Sequence, residues 1–306
     1  MGRRFVVITG PTASGKTRIS VEVAKELGSC VISADSMQIY KGMDIGTAKV
    51  TPEEMQGVPH YMIDIVTPDQ SYSAAEYQKT AFELIERENS KEHIPVIAGG
   101  TGLYIHSLVY DIDFTSTPGN DAVRQKYLQL ADDKSIQYLY NELRKKDPAY
   151  ASIIESTDLR RIVRRLEIIE NGGAGEYDFR RMNMHDDILM IGISVPRETL
   201  YKRINARVDV MLANGLVEEA QRIYNQYGMV NALKAIGYKE LAACFEGSIS
   251  LEEATELIKR NTRRYAKRQM TWFKRDERIK WTDFDASMSI EDTINDIIKI
   301  IKEKGF

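Results

Sequence analysis

The stretch best equipped for chemistry is Gly10-Pro11-Thr12-Ala13-Ser14-Gly15-Lys16-Thr17. Its spacing is G-x-x-x-x-G-K-[ST], in which the glycines let main-chain amides converge on an anion. Lys16 adds a point charge there, and the Thr17 hydroxyl can hold Mg²⁺. Asp35 is the second candidate, at the polar end of the run Cys30-Val31-Ile32-Ser33-Ala34-Asp35-Ser36. Three readings stand for it: a Mg²⁺ ligand, a catalytic base, or a turn-forming aspartate. Thr101, within Ala98-Gly99-Gly100-Thr101-Gly102, is the third candidate. Its hydroxyl suits a phosphate oxygen and the glycines suit close approach of a ligand, although a plain strand-to-helix turn has the same composition.

These residues need a scaffold. Phe5-Val6-Val7-Ile8-Thr9 is a short apolar, β-branched run and predicts a buried strand. Arg18 to Leu27 carries Ile19, Val23 and Leu27 at helical spacing. Strand, glycine loop and helix together form the context in which the motif becomes a phosphate site. Further buried strands are predicted at 30–36, 60–66, 95–98 and 188–195, with a helix from Ala74 to about Asn89 behind a Ser73/Glu76 capping box. In an open parallel sheet the strand C-termini form the ligand crevice, which brings Asp35 beside the phosphate loop. Residues 40–60 are rich in Gly and Pro and read as a long loop at that crevice.

The α/β rhythm stops near Asp113. A breaker cluster at 114–120 opens a helical block from Asp121 to about Asn171, closed by Gly172, Gly173, Ala174 and Gly175. The layout is that of an inserted helical domain at 114–187, between core segments 1–113 and 188–306. The insert carries Arg160-Arg161-Ile162-Val163-Arg164-Arg165, read from the residues alone as a solvated helix face paired with Glu167 and Glu170. Beyond 195 the chain reads as helical, with Gly215 as a C-cap after a helix over Leu200 to Asn214. Its segment 259–280 holds ten Lys and Arg with Tyr265, Trp272 and Phe273 between them. Basic and aromatic residues together suit single-stranded nucleic acid; a solvated helix with its aromatics in the core fits as well.

The chain has 306 residues, 43% hydrophobic and 28% charged, with a net charge of −3. Bulk charge therefore gives no sign of nucleic-acid binding, which must rest on a local basic patch. Two distant cysteines, Cys30 and Cys244, form neither a disulfide framework nor a metal-finger spacing. No apolar run approaches a membrane span, and Lys16 interrupts any export-signal core after Arg3-Arg4, so a cytoplasmic protein without membrane contact is expected.

The longer motifs make a family resemblance visible. G-P-T-A-S-G-K-T, S-A-D-S-M-Q-I-Y-K-G-M-D-I-G-T-A-K, H-Y-M-I-D-I-V-T-P-D-Q-S-Y-S-A-A-E-Y and A-G-G-T-G-L-Y resemble the tRNA dimethylallyltransferases. R-V-D-V-M at 207–211, G-L-V-E-E at 215–219, A-I-G-Y-K-E at 235–240 and K-R-Q-M-T-W at 267–272 match as well. The resemblance implies transfer of a dimethylallyl group from dimethylallyl diphosphate to N6 of adenosine 37 in the tRNA anticodon stem-loop. It implies a P-loop NTPase-like parallel sheet flanked by helices, with an inserted helical tRNA-binding domain and a helical C-terminal part, in a monomer that uses Mg²⁺. By the same resemblance the phosphate loop takes the donor's diphosphate, Asp35 is the general base, Thr101 contacts the diphosphate or bridging oxygen, and Arg207 binds the leaving diphosphate. Asp35, Ser36, Met37, Gln38, Thr101, Arg124, Arg160, Arg161, Ile162, Val163 and Arg164 fall on tRNA-contacting positions. Thr157, Arg160 and Arg165 depart from the family pattern; Arg160 stands where the family has glutamine. Two isolated cysteines exclude the zinc finger of eukaryotic relatives. The rival readings are a free-adenylate dimethylallyltransferase, a small-molecule kinase and a non-catalytic RNA-binding module.

Overall fold

The computed structural model describes residues 2–112, 114, 119–173, 185–284 and 289–306. They fall into two compact units, Met1–Val109 with Asn183–Phe306, and Tyr110–Met182. Of the predicted breakers, 115–118 and 174–175 lie outside the described residues, as does position 113.

In the first unit β1 (Arg4–Thr9) runs into the glycine loop and α1 (Lys16–Glu26) leaves it. There follow β2 (Val31–Ala34), α2 (Pro52–Met55), β3 (His60–Tyr61), α3 (Ala74–Asn89), β4 (Val96–Gly99) and α4 (Gly102–Val109). Among the described residues the second unit holds α5 (Asp121–Lys134), α6 (Ile136–Lys146), α7 (Pro148–Ala151) and α8 (Leu159–Glu170). The chain then returns to the first unit as β5 (Asp187–Ser194), α9 (Arg197–Ala213), α10 (Leu216–Tyr227), a 3₁₀ turn (Asn231–Lys234), α11 (Tyr238–Phe245), α12 (Leu251–Phe273), β6 (Lys280–Asp283) and α13 (Ile290–Glu303).

The six strands form one sheet in the order β3-β2-β4-β1-β5-β6, parallel throughout. β1 lies between β4 and β5, with Ile8 opposite both Ala98 and Ile191. Phe5, Val6, Val7 and Ile8 are wholly buried, as the continuous apolar run predicts for a strand covered on both faces. α1 and α13 seal one face through Ile19, Val23, Ile294, Ile297 and Ile301. The Ser73 box forms as expected: Ser73 Oγ accepts the Glu76 N–H at 3.2 Å, and Glu76 Oε2 accepts the Ser73 N–H at 2.7 Å. Gly215, at φ 97°, follows α9 in the left-handed conformation expected of a C-cap glycine.

Three expectations are corrected. The strand predicted over 60–66 is broken into His60–Tyr61 and an isolated bridge of Val66 to Tyr40, because Met62 (φ 65°) and Asp64 (φ 53°) turn left-handed. The chain beyond β5 is not all helical: Lys280–Asp283 adds an edge strand beside β5. It is only half-buried, with Lys and Asp at its ends, so no apolar run announces it. The helical block is four helices, with Ser135 (φ 143°) and Asp147-Pro148 as breaks. Tyr127, Leu139, Leu143, Ile162, Val163 and Leu166 form the core of that second unit.

Candidate active site

Three turns at the C-terminal edge of the sheet carry the candidate chemistry: the loop after β1, the turn after β2 and the turn after β4. In the first, Ala13 (φ 62°) and Gly15 (φ 90°) bend the loop so that α1 starts at Lys16 with its amides uncapped by any side chain. Lys16 Nζ folds back on the Pro11 carbonyl at 2.6 Å. The Ser14 hydroxyl is buried and has no partner, as expected of a group meant for a ligand.

Thr12, Ala13, Ser14, Gly15, Lys16 and Thr17 line a cavity of about 520 Å³ together with Asp35, Gln38 and Arg207. Glu54, His60, Met211, Tyr265 and Gln269 border the same space. Gly10, Pro11, Ser36, Met37 and Thr101 do not reach it. The Thr101 hydroxyl is instead engaged behind Asp35: it accepts the Ser36 N–H at 2.9 Å and lies 3.2 Å from Ser36 Oγ. Asp35 Oδ1 accepts the Met37 N–H at 2.8 Å.

The charges within the cavity perturb one another. Lys16 is pulled down to about 7, first by enclosure in protein and then by the nearby Arg207 cation, with Asp35 opposing. Asp35 is pushed up by enclosure, against the Met37 and Gln38 amides and Lys16. Arg207 is lowered by the surrounding protein, with Glu54 opposing, although its side chain keeps contact with solvent along α9. A carboxylate whose burial raises its basicity, beside a lysine lowered to about 7, is suited to accept a proton.

The long loop 40–60 is held from below. Glu219 on α10 accepts the N–H groups of Asp44, Ile45 and Gly46 at 2.8, 2.9 and 3.0 Å, and the Tyr238 hydroxyl at 2.7 Å. Gln38 joins this loop through its amide group, 3.2 Å from the Ala48 carbonyl.

The glycines after β4 also admit close protein neighbours, while Gly99 and Gly100 line the cavity. A Cβ at Gly100 would stand 2.1 Å from Gln269 Nε2, and one at Gly102 would stand 2.4 Å from the Trp272 indole nitrogen. Gln269, four residues after Tyr265 on α12, is a site residue that the sequence does not single out.

The basic segment divides by face. Arg260, Arg264, Lys267 and Arg268 are exposed along α12, and Lys274 and Arg275 follow it. The aromatics point inward instead of interleaving with them: Phe273 is in the core, Trp272 donates to His106 Nε2 at 3.1 Å, and Tyr265 borders the cavity.

In the second unit Arg160 and Arg161 are exposed on α8, and Arg161 pairs with Asp158 at 3.3 Å. Arg124 and Arg164 both pair with the buried carboxylate of Glu167, at 3.2 and 3.1 Å. Ile162 and Val163 are buried in that unit's core, so their side chains face no ligand, contrary to the tRNA-contacting role that the resemblance implies. Arg165 is buried too, bound to Asp147 at 2.6 Å.

Comparison with known proteins completes the picture. A family model described as IPP transferase matches residues 38–276. The tRNA dimethylallyltransferase of Thermoanaerobacter sp. (strain X514) is 47% identical over 99% of each chain, and that of Alkaliphilus oremlandii is 46% identical over 99% of this chain and 98% of its own. Among solved structures, the full-length tRNA isopentenylpyrophosphate transferase of Bacillus halodurans superposes with a TM-score of 0.75 at 39% identity, covering 99% of this chain and 96% of that one. A eukaryotic dimethylallyltransferase described as acting on tRNA superposes at 0.80 with 27% identity, over 98% of this chain and 80% of that one.

Proposed function

The chain belongs to the IPP transferase family, and on that premise we propose that the cavity of its first unit holds dimethylallyl diphosphate against an adenine of tRNA. The enzyme transfers the dimethylallyl group to tRNA, at N6 of adenosine 37 as fits the family. The observation that carries the site assignment is the gathering of Lys16, Asp35 and Arg207 around one space beneath the glycine loop.

In this reading the diphosphate lies on the loop amides, with Lys16 and the unpartnered Ser14 hydroxyl as further donors. The adenine N6 attacks the allylic carbon; the N–C bond forms as the carbon–oxygen bond to diphosphate breaks. Asp35 takes the proton that N6 loses, and Arg207 holds the departing anion. Thr17, a hard oxygen donor on the cavity wall, fits Mg²⁺, which supplies charge neutralisation of the diphosphate when bound. An exocyclic amine is a weak nucleophile, so alignment and leaving-group stabilisation supply most of the rate. Thr101 positions the Asp35 turn through Ser36.

Arg160 and Arg161, with Arg124 and Arg164 behind them, make the second unit the proposed tRNA-binding domain, and the exposed stripe of α12 a further phosphate contact. Among the described residues no helix is long and apolar enough to cross a membrane. We take the enzyme to act as a monomer in the cytoplasm, where tRNA is found and where Cys30 and Cys244 remain free thiols.

The test is mass spectrometry of an unmodified tRNA after incubation with the enzyme, dimethylallyl diphosphate and Mg²⁺. One dimethylallyl group is expected on adenosine 37, with diphosphate released. Transfer to free AMP in preference to tRNA would contradict the reading.

A further inference from the structure

Gln269 lies where the turns of the site meet, and its amide group is spoken for on both sides. Oε1 accepts the Thr12 N–H at 2.9 Å, and Nε2 donates to the Gly100 carbonyl at 2.9 Å. Tyr265, one helical turn away on α12, borders the same cavity, and Thr101 accepts the Ser36 N–H beside Asp35. One side chain on α12 therefore ties the start of the phosphate loop to the turn after β4, whose Thr101 in turn accepts the Ser36 N–H after β2. The residue is 5% exposed.

The site is built around this group. A side chain at Gly100 would run into Nε2 at 2.1 Å. The Thr12 N–H can face only an acceptor and the Gly100 carbonyl only a donor, so a primary amide of this length answers both. Glutamate, of the same shape, would set an oxygen against the Gly100 carbonyl and add negative charge beside an anion site. Leucine would leave both main-chain groups unpaired.

We propose that Gln269 is a positioning residue for the diphosphate cradle. It pins the Thr12 end of the loop to the Gly100 turn, so that the amides of Ala13 to Thr17 and the Lys16 ammonium face the anion before the donor arrives. The proposal rests on the reading that this loop takes the diphosphate.

The test compares the full-length parent with Gln269→Glu, Gln269→Leu and Lys16→Ala. Inorganic diphosphate binding with Mg²⁺ but without tRNA is measured by calorimetry, alongside tRNA affinity, thermal midpoint and donor kcat/KM. Both Gln269 variants are expected to lose diphosphate affinity about tenfold and donor kcat/KM with it, while tRNA affinity stays within about twofold of the parent. A lower thermal midpoint with diphosphate affinity intact would mean a purely structural role and would overturn the proposal. Loss of binding in Lys16→Ala but not in the Gln269 variants overturns the proposal alone. Parental binding in Lys16→Ala overturns the loop reading and the proposal together. If Gln269→Leu does not fold, Gly100→Ala, which displaces the amide group from its carbonyl, carries the same expectations.

Discussion

Thr101 Oγ1 accepts the main-chain N–H of Ser36 at 2.9 Å, joining the turn after β4 to the turn that presents Asp35. The bond crosses 65 residues of sequence and fixes the carboxylate's neighbourhood through the main chain. Thr101→Val keeps the shape but removes the acceptor. The expected result is a fall in kcat of about tenfold, from one lost hydrogen bond to a half-buried amide, with donor KM changed less. Thr101→Ser should restore most of the rate. Steady-state kinetics with tRNA in excess checks this, and a variant that changes KM alone would place Thr101 on the donor instead.

Lys16 gives the site a pH signature. Its pKa in the free enzyme is pulled down to about 7, by enclosure first and Arg207 second. A bound diphosphate favours the charged form and raises it again. Above pH 7 the free lysine is increasingly neutral, so anion binding must take up a proton, and affinity must weaken as pH rises from about 7 toward 10. Calorimetry in two buffers of different ionisation enthalpy measures the uptake. Lys16→Met should lose it; equal uptake in parent and variant would assign the proton elsewhere.

The second unit calls for a test that separates charge from stability. Arg164 and Arg124 neutralise the buried Glu167, so removing either leaves a buried carboxylate short of a partner and costs folding as well as binding. Arg160 and Arg161 are exposed and avoid that confusion. The double variant Arg160→Gln/Arg161→Gln should weaken tRNA binding and flatten its dependence on log salt by about 0.7–0.9 per lost phosphate contact. Diphosphate binding serves as the control. An unchanged salt slope would leave these arginines a solvated helix face.

What could be read from the chain was local. The β1 run, the glycine loop and α1 are contiguous, and the Ser73/Glu76 box spans four residues, so their physics is written within a short window. Asp35 was legible because a strand end in a parallel sheet has a known destination. Gln269 was not, since its partner Thr12 is 257 residues away and nothing in α12 distinguishes that glutamine from a surface one. Gly100 and Gly102 announced close approach but could not say that Gln269 and Trp272 were approaching. Within the arginine run, periodicity could not tell the exposed Arg161 from Arg165, because the acid that draws Arg165 inward, Asp147, lies 18 residues earlier, at the start of α7.

The central claim is that Asp35 accepts the proton from the attacking amine. Burial holds its carboxyl above the ordinary range, which makes it a stronger base than a surface aspartate. The direct measurement is the single-turnover rate of dimethylallyl transfer to tRNA by Asp35→Asn, with donor and tRNA affinities determined separately. The account predicts a rate lower by roughly 10²–10⁴-fold with both substrates still bound, and loss of the acid limb of the parent's pH–rate profile. A near-parental rate, or a loss explained wholly by weaker tRNA binding, would contradict it.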